Sequence, residues 1–137
     1  MIIRDLDVAK EYAYWDDIIL QNYIQYFKTG MMTLVLKSRV PAIGETIALR
    51  IASDPISKCL MEKINYPLLS TSANVSGEPY ADDPAAIYAR FSGAVDIMID
   101  AGPLGNAVPS TVIDMTGQKP QVLREGQFFE RIKNAIT

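Results

Sequence analysis

The 137-residue sequence contains no histidine, which excludes Ser-His-Asp triads, Cys-His pairs and imidazole metal ligands from these residues. The single cysteine, Cys59, cannot form an internal disulfide, and this favours a reducing, cytoplasmic setting. No apolar run approaches the roughly 20 residues that a membrane-spanning helix requires. The acidic character soon after Met1 predicts no secretory signal, so we expect a cytoplasmic protein that does not contact a membrane.

Basic residues are also few, since 13 lysines and arginines stand against 16 aspartates and glutamates, for a net charge of −3. An acidic chain has no overall positive field to attract nucleic acid, so any such contact must come from a local patch. Hydrophobic residues make up 49% of the sequence, which is enough for the core of one domain. We therefore predict a single domain spanning residues 1–137.

Apolar periodicity and turn residues predict helices interleaved with strands. Helices are predicted to begin after Asp7, Asp54 and Asp83, each placed to cap a first turn, and near Phe128. The first helical region should break near residues 16–17. Strands are predicted at 32–36, 46–51, 66–69, 95–100, 111–114 and 121–124. This order indicates an α/β or α+β fold, in which helices cover a mixed sheet.

A polar loop follows the short strand candidate at 66–69. Between Ser70 and Ser76 it holds four hydroxyl side chains and the amide of Asn74. Short side chains after the carboxyl end of a strand suit a bound anion, because backbone N–H groups stay accessible to it. The same residue types are ordinary turn formers, so composition alone leaves both interpretations open. The loop is neither a Walker loop nor a nucleophile elbow, and Ser72 has no histidine base to activate it.

A second set of polar residues lies at the ends of the last two predicted strands. Ser110 and Thr111 open one strand, and Arg124 ends the next. A guanidinium can bind phosphate or carboxylate oxygens bidentately, so Arg124 is a candidate anion clamp. An arginine at a strand end is also commonly part of a surface ion pair, which is the alternative interpretation.

Five short motifs, taken in chain order, resemble the YrdC family. They are Thr33-Leu34-Val35-Leu36, Ala48-Leu49-Arg50-Ile51, Ser72-Ala73-Asn74-x-Ser76-Gly77, Pro109-Ser110-Thr111-Val112-Ile113-Asp114 and Leu123-Arg124-x-Gly126. The resemblance extends along the chain to Gly126. It implies a YrdC-like twisted mixed sheet with covering helices, around a concave and positively lined cavity.

The resemblance also implies a reaction. Members of the family make L-threonylcarbamoyl-AMP from ATP, L-threonine and bicarbonate, releasing pyrophosphate, and Mg²⁺ assists. Partner proteins then transfer the threonylcarbamoyl group to tRNA. Carried over by motif, two groups of residues would bind the substrates: the nucleotide-binding residues are Thr33, Ser72, Asn74 and Arg124, and the threonine-binding residues are Ser70 and Ser110. The resemblance assigns no catalytic side chain and no protein ligand for a metal.

The sequence departs from the family pattern at its start, since neither the upstream Lys-x-Arg motif nor the Thr-x-Tyr-Gly sequence precedes the first strand. We therefore expect a domain that is incomplete at its N-terminal side, with reduced or no synthase activity alone. Unpaired sheet edges in such a domain would favour a homo-oligomer. The alternative function is a degenerate module that binds double-stranded RNA or tRNA without catalysis, although the acidic composition weighs against it.

Overall fold

The strands form one mixed sheet. In the computed structural model, which describes residues 1–74, 83–103, 105 and 108–136, the strands are β1 (Ile2–Ile3), β2 (Met32–Lys37), β3 (Thr46–Ile51), β4 (Thr111–Asp114) and β5 (Gln121–Arg124). Their order across the sheet is β1-β3-β2-β4-β5. β1 is parallel to β3 and β2 is parallel to β4, while the β2–β3 and β4–β5 pairs are antiparallel.

Helices connect and flank these strands. They are α1 (Leu6–Tyr12), α2 (Asp17–Leu20), α3 (Ile24–Lys28), α4 (Pro55–Ile64), α5 (Pro84–Phe91) and α6 (Phe129–Ile136). The chain divides into two compact units: the first comprises Met1–Ser70 and Pro109–Thr137 and contains the sheet, and the second is Thr71–Val108 and contains α5. Among the described residues, no helix has the length and apolar character needed to cross a bilayer.

The core lies on one face of the sheet. Side chains alternate along β2, β3 and β4, so every second residue is buried and its neighbours point to the opposite face. The buried cluster combines sheet residues with residues of four helices, among them Leu34, Leu49, Ile113, Ala9 of α1, Leu20 of α2, Phe27 of α3 and Ile132 of α6. The opposite face, called the second face below, carries Thr33, Val35, Ala48, Arg50 and Val112.

Most predicted elements occur at the expected residues. The strands predicted at 32–36, 46–51, 111–114 and 121–124 are confirmed as β2, β3, β4 and β5. α4 and α5 begin with proline directly after the capping residues Asp54 and Asp83, as the two Asp-Pro pairs predicted. The mixed α/β sheet with covering helices is thereby confirmed. The single domain spanning residues 1–137 stays a prediction.

The prediction for the first helix is wrong in two details. α1 is capped by Asp5, whose side chain accepts a hydrogen bond from the Val8 N–H at 3.0 Å, and not by Asp7. The helix also ends at Tyr12, before the expected break. Its next residue, Ala13, is already extended and forms an isolated bridge with Ser38.

Two predicted strands do not form as expected. At 66–69, the pairing is limited to a bridge between Leu68 and Ile2. The segment 95–100 joins no ladder among the described strands, and Ile97 within it is 81% exposed. Alternation gives a strand two faces, but it does not supply a partner for the backbone hydrogen bonds.

The cap of α1 gives a test with a close control. Asp5→Ala should lower the free energy of unfolding by about 1 kcal/mol, because the Val8 N–H loses its acceptor. Asp7→Ala, in the same first turn but not at the cap, should cost less than half as much. Urea unfolding of both variants measures the difference, and equal losses would contradict the Asp5 cap.

The same carboxyl gives a pH dependence. The hydrogen bond from Arg4, at 2.7 Å, and that from the Val8 N–H lower the pKa of Asp5 below its usual value. A depressed folded pKa stabilises the protein above the ordinary pKa, and this stabilisation is lost as the pH falls through the folded value. The stability gap between wild type and Asp5→Ala should therefore narrow from neutral pH to about pH 2. A gap that stays constant would contradict the contribution of the charge.

Candidate functional site

Thr33 and Ser110 meet on the second face of the sheet. Thr33 in β2 is the parallel partner of Val112 in β4, and Val112 is the antiparallel partner of Arg124 in β5. Paired residues project to the same face, and Ser110, two residues before Val112, shares it. The hydroxyl oxygens of Thr33 and Ser110 are 2.8 Å apart. The register of two strand pairs thus brings together three residues that are far apart in the sequence.

Arg124 completes this group, which we call the hydroxyl–arginine cluster (Thr33, Ser110 and Arg124). Its Nε donates to the Ser110 backbone oxygen at 3.0 Å, and its Nη2 donates to the Ser110 Oγ at 3.3 Å. Ser110 is 6% exposed, whereas Arg124 is exposed. Among the described residues, the partner of Arg124 is therefore a serine and not the carboxylate of a surface ion pair. Its Nη1 has no partner in that part of the chain and can donate to a carboxylate or phosphate oxygen.

The turn after β5 is fastened to the start of β4. The Thr111 hydroxyl donates to the Gln127 backbone oxygen at 2.9 Å and accepts from the Gly126 N–H at 3.2 Å. The Gln127 N–H in turn donates to the Pro109 oxygen at 2.7 Å. The two neighbours of Ser110 in the chain, Pro109 and Thr111, therefore both hold the turn that follows Arg124.

Gly126 is the point of closest approach in this turn. A Cβ atom placed there would lie 2.2 Å from the Pro109 backbone oxygen and 2.6 Å from the Ser110 carbonyl carbon. These are backbone atoms, which cannot rotate away as a side chain can. Only glycine therefore permits this approach. Steric crowding thus explains why the motif Leu123-Arg124-x-Gly126 has a glycine at its last position.

The second face also carries cations that the sequence did not assign to the site. Arg50 in β3 and Lys37 in β2 lie on it together with Arg124. Asp114 is on the same face, where its Oδ1 accepts from the Thr116 hydroxyl at 2.6 Å and from the Thr116 N–H at 2.8 Å. The alternating register places Arg50 and Lys37 on this face. A chain of net negative charge thus concentrates positive charge on one sheet face.

The predicted residues of the polar loop belong to different parts of the chain. Ser70 is exposed and ends the N-terminal part of the first unit, two residues after Leu68 pairs with Ile2. Ser72, which is exposed, and Asn74, which is half-buried, belong to the second unit. Ser76 and Gly77 of the same motif lie outside the described residues. Of the six predicted binding residues, the structure brings together Thr33, Ser110 and Arg124.

The second unit contains an apolar cleft that the sequence did not predict. It has a volume of about 290 Å³ and is lined by Ser72 together with Ile87, Tyr88 and Phe91. Ile87, Tyr88 and Phe91 belong to α5, which has no buried residue among those described. A cleft lined by aromatic side chains and a serine suits a flat apolar group attached to a polar one.

Metal ligands are not apparent within the described residues. No group of three histidine, cysteine, aspartate or glutamate side chains is arranged there to hold an ion. Cys59 is exposed and is not part of the cluster. The chemistry that the cluster offers is hydrogen bonding and positive charge toward an anionic ligand.

Comparison with known proteins gives consistent matches. A family model for Sua5/YciO/YrdC domains, described as "Telomere recombination", matches residues 1–126. The chain is 34% identical to Escherichia coli YciO over 92% of this chain and 64% of that protein, and the YciO crystal structure superposes with a TM-score of 0.80. It is 33% identical to the putative threonylcarbamoyl-AMP synthase of Methanocaldococcus jannaschii, over 90% of this chain and 60% of that protein.

A solved structure with a bound amino acid is also similar. Pyrococcus abyssi Sua5 complexed with L-threonine superposes with a TM-score of 0.87 at 30% identity, over 98% of this chain and 42% of that chain. The chain thus spans less than two thirds of the length of each of these relatives.

The close approach at Gly126 predicts a sharp difference between two glycines. Gly126→Ala should destabilise the protein by about 1–3 kcal/mol, because the new methyl group overlaps backbone atoms. Gly117→Ala is the control, since a Cβ there meets only the Lys119 oxygen at an ordinary 3.6 Å. Its stability should stay within about 0.5 kcal/mol of wild type. Urea unfolding tests this, and equal midpoints for both variants would mean that the turn is not sterically constrained.

Proposed function

This chain belongs to the Sua5/YciO/YrdC family, and we propose that it acts in the synthesis of threonylcarbamoyl-AMP from ATP, L-threonine and bicarbonate. The product serves tRNA modification through partner proteins that transfer the threonylcarbamoyl group. The observation that carries the proposal is the hydroxyl–arginine cluster, in which Ser110 contacts both Thr33 and Arg124. The relatives named as synthases and the Sua5 complex with L-threonine support the choice of substrates.

The arrangement of the cluster suits the reaction. Ser110 is the residue assigned to the amino acid, while Thr33 and Arg124 are assigned to the nucleotide. Because Ser110 lies within 3.3 Å of both, an amino acid and a nucleotide bound to these residues would be neighbours. The reaction requires neighbouring substrates, because positioning and charge neutralisation provide most of the reduction in its activation barrier.

The bond changes need no nucleophile from the protein. The threonine amine and bicarbonate combine to a carbamate with loss of water. A carbamate oxygen then forms a bond to the α-phosphorus of ATP, the bond from that phosphorus to the bridging β-phosphate oxygen breaks, and pyrophosphate leaves with the electron pair. Arg124 would stabilise the negative charge on the phosphoryl oxygens, and Mg²⁺ would arrive with ATP, held by the phosphate oxygens.

The second unit has candidate contacts of its own. Ser72 and Asn74 are assigned to the phosphates, and the apolar cleft beside Ser72 offers aromatic contacts for the base. Ser70 is assigned to the amino acid. The alternative of an RNA-binding module has less support, because the positive charge of the second face is local while the chain as a whole carries −3.

Binding gives the most direct test, because it does not depend on turnover by a chain that spans only part of its relatives. ATP with Mg²⁺ and L-threonine should each raise the melting temperature of the wild-type chain. A ligand at ten times its dissociation constant stabilises by about 1.4 kcal/mol when it binds only the folded state. Arg124→Ala should abolish the shift with ATP, and Ser110→Ala should reduce the shift with L-threonine.

A matched control removes a positive charge from the same β-hairpin. Lys119→Ala, in the turn between β4 and β5 and outside the cluster, should keep the full shift with ATP. Pyrophosphate release in the presence of ATP, L-threonine, bicarbonate and Mg²⁺ is measured in parallel. The proposed function would be overturned if neither ATP nor L-threonine raised the melting temperature at millimolar concentration and no pyrophosphate were released.

A further inference from the structure

Thr111 is a buried hydroxyl residue in a position that suits an apolar side chain. It is the first residue of β4, is 0% exposed and faces the core, where its ladder partner is the equally buried Met32. Valine has the same shape and would bury more apolar surface. Burying a hydroxyl is unfavourable unless it is hydrogen-bonded, and here the Thr111 hydroxyl uses both its donor and its acceptor capacity.

Both of these hydrogen bonds go to the turn that follows Arg124. The Thr111 hydroxyl binds the Gly126 N–H at 3.2 Å and the Gln127 oxygen at 2.9 Å, two and three residues after the arginine. Thr111 itself faces away from the second face and does not contact the guanidinium. Its effect on a ligand of the cluster would therefore act through Arg124.

The strand ladder does not fix Arg124 by itself. The β4–β5 register shifts between Val112 and Ile113, immediately beside the pair formed by Val112 and Arg124. A register irregularity locally disrupts the ladder, so the end of β5 needs other anchors. The Thr111 hydroxyl supplies two of them, close to the point where Arg124 reaches Ser110.

We propose that Thr111 is a positioning residue, whose buried hydroxyl fixes the turn at Gly126 and Gln127 and thereby holds the Arg124 guanidinium against Ser110 for an anionic ligand. The inference rests on the proposed function and deepens it, since it assigns the orientation of the phosphate-binding arginine to a residue that does not touch the ligand. In mechanistic terms, the hydroxyl keeps Nε and Nη2 on Ser110, so that Nη1 stays directed to the ligand.

The test compares variants that separate the hydroxyl from the packing. Thr111→Val keeps the shape and removes the hydroxyl, whereas Thr111→Ser keeps the hydroxyl and removes the methyl group. Calorimetric titration with pyrophosphate should show affinity about tenfold weaker for Thr111→Val, the loss expected for one or two hydrogen bonds. Thr111→Ser should bind within about twofold of wild type, even if it melts at a lower temperature.

Thr116→Val is the matched control, because it removes a hydroxyl beyond the other end of β4, where it binds Asp114. It should bind pyrophosphate as wild type does. A second readout needs no ligand: the Arg124 Nε–H signal in a ¹⁵N NMR spectrum should exchange faster with water in Thr111→Val than in wild type or Thr111→Ser, since its hydrogen bond to Ser110 is loosened.

The outcomes separate this proposal from the proposed function. If wild type binds neither pyrophosphate nor ATP, the proposed function fails, and the Arg124 signal still decides the role of Thr111. An unchanged Arg124 signal in Thr111→Val would overturn the positioning role. Equal weakening in the Val and Ser variants would also overturn it, because affinity would then follow packing and not the hydroxyl. If Thr111→Val does not fold, the Thr111→Ser variant decides. Wild-type affinity for pyrophosphate and a wild-type Arg124 Nε–H signal in that variant support the proposal, and loss of either overturns it.

Discussion

Met32 and Thr111 are ladder partners in the parallel β2–β4 pair, and both side chains are completely buried. This pairing sets which residues of the two strands face the core and which face the opposite side. A slip by one residue would turn Thr33 into the core and remove its contact with Ser110. The same register that builds the hydrophobic core therefore also builds the hydroxyl–arginine cluster, so the core and the site cannot vary independently.

Local charge at the site is set by this register and not by composition. Arg50, Lys37 and Arg124 come from three different strands. They share one face because the strand register pairs them with residues whose side chains project to that face. A net charge of −3 argues against a protein-wide positive field, and that argument holds. It does not exclude a local group of positive side chains such as Arg50, Lys37 and Arg124.

Sequence reasoning succeeded for most single elements and failed where the outcome depends on backbone conformation or on a distant partner. Alternation found β2, β3, β4 and β5, and the Asp-Pro pairs found the starts of α4 and α5. The prediction of Asp7 as the first cap was wrong, because the backbone conformation, which the sequence pattern does not contain, places Asp5 at the cap. The segment 95–100 has the alternation of a strand, but it joins no ladder of the described strands. The motifs identified Thr33, Ser110 and Arg124 individually, but their contacts depend on strand pairing, which no local pattern contains.

Arg124 combines a structural bond with a free donor, and this combination affects how strongly it can bind. An arginine side chain that is ordered only when a ligand arrives loses about 2 kcal/mol of rotamer entropy at that moment. Here Nε and Nη2 already donate to Ser110, so much of this rotamer entropy is lost during folding and not on binding. A preordered guanidinium binds an anion more tightly than a mobile one with the same contacts. In the proposed site, Ser110 and the turn held by Thr111 would therefore contribute to anion binding through the position in which they keep Arg124.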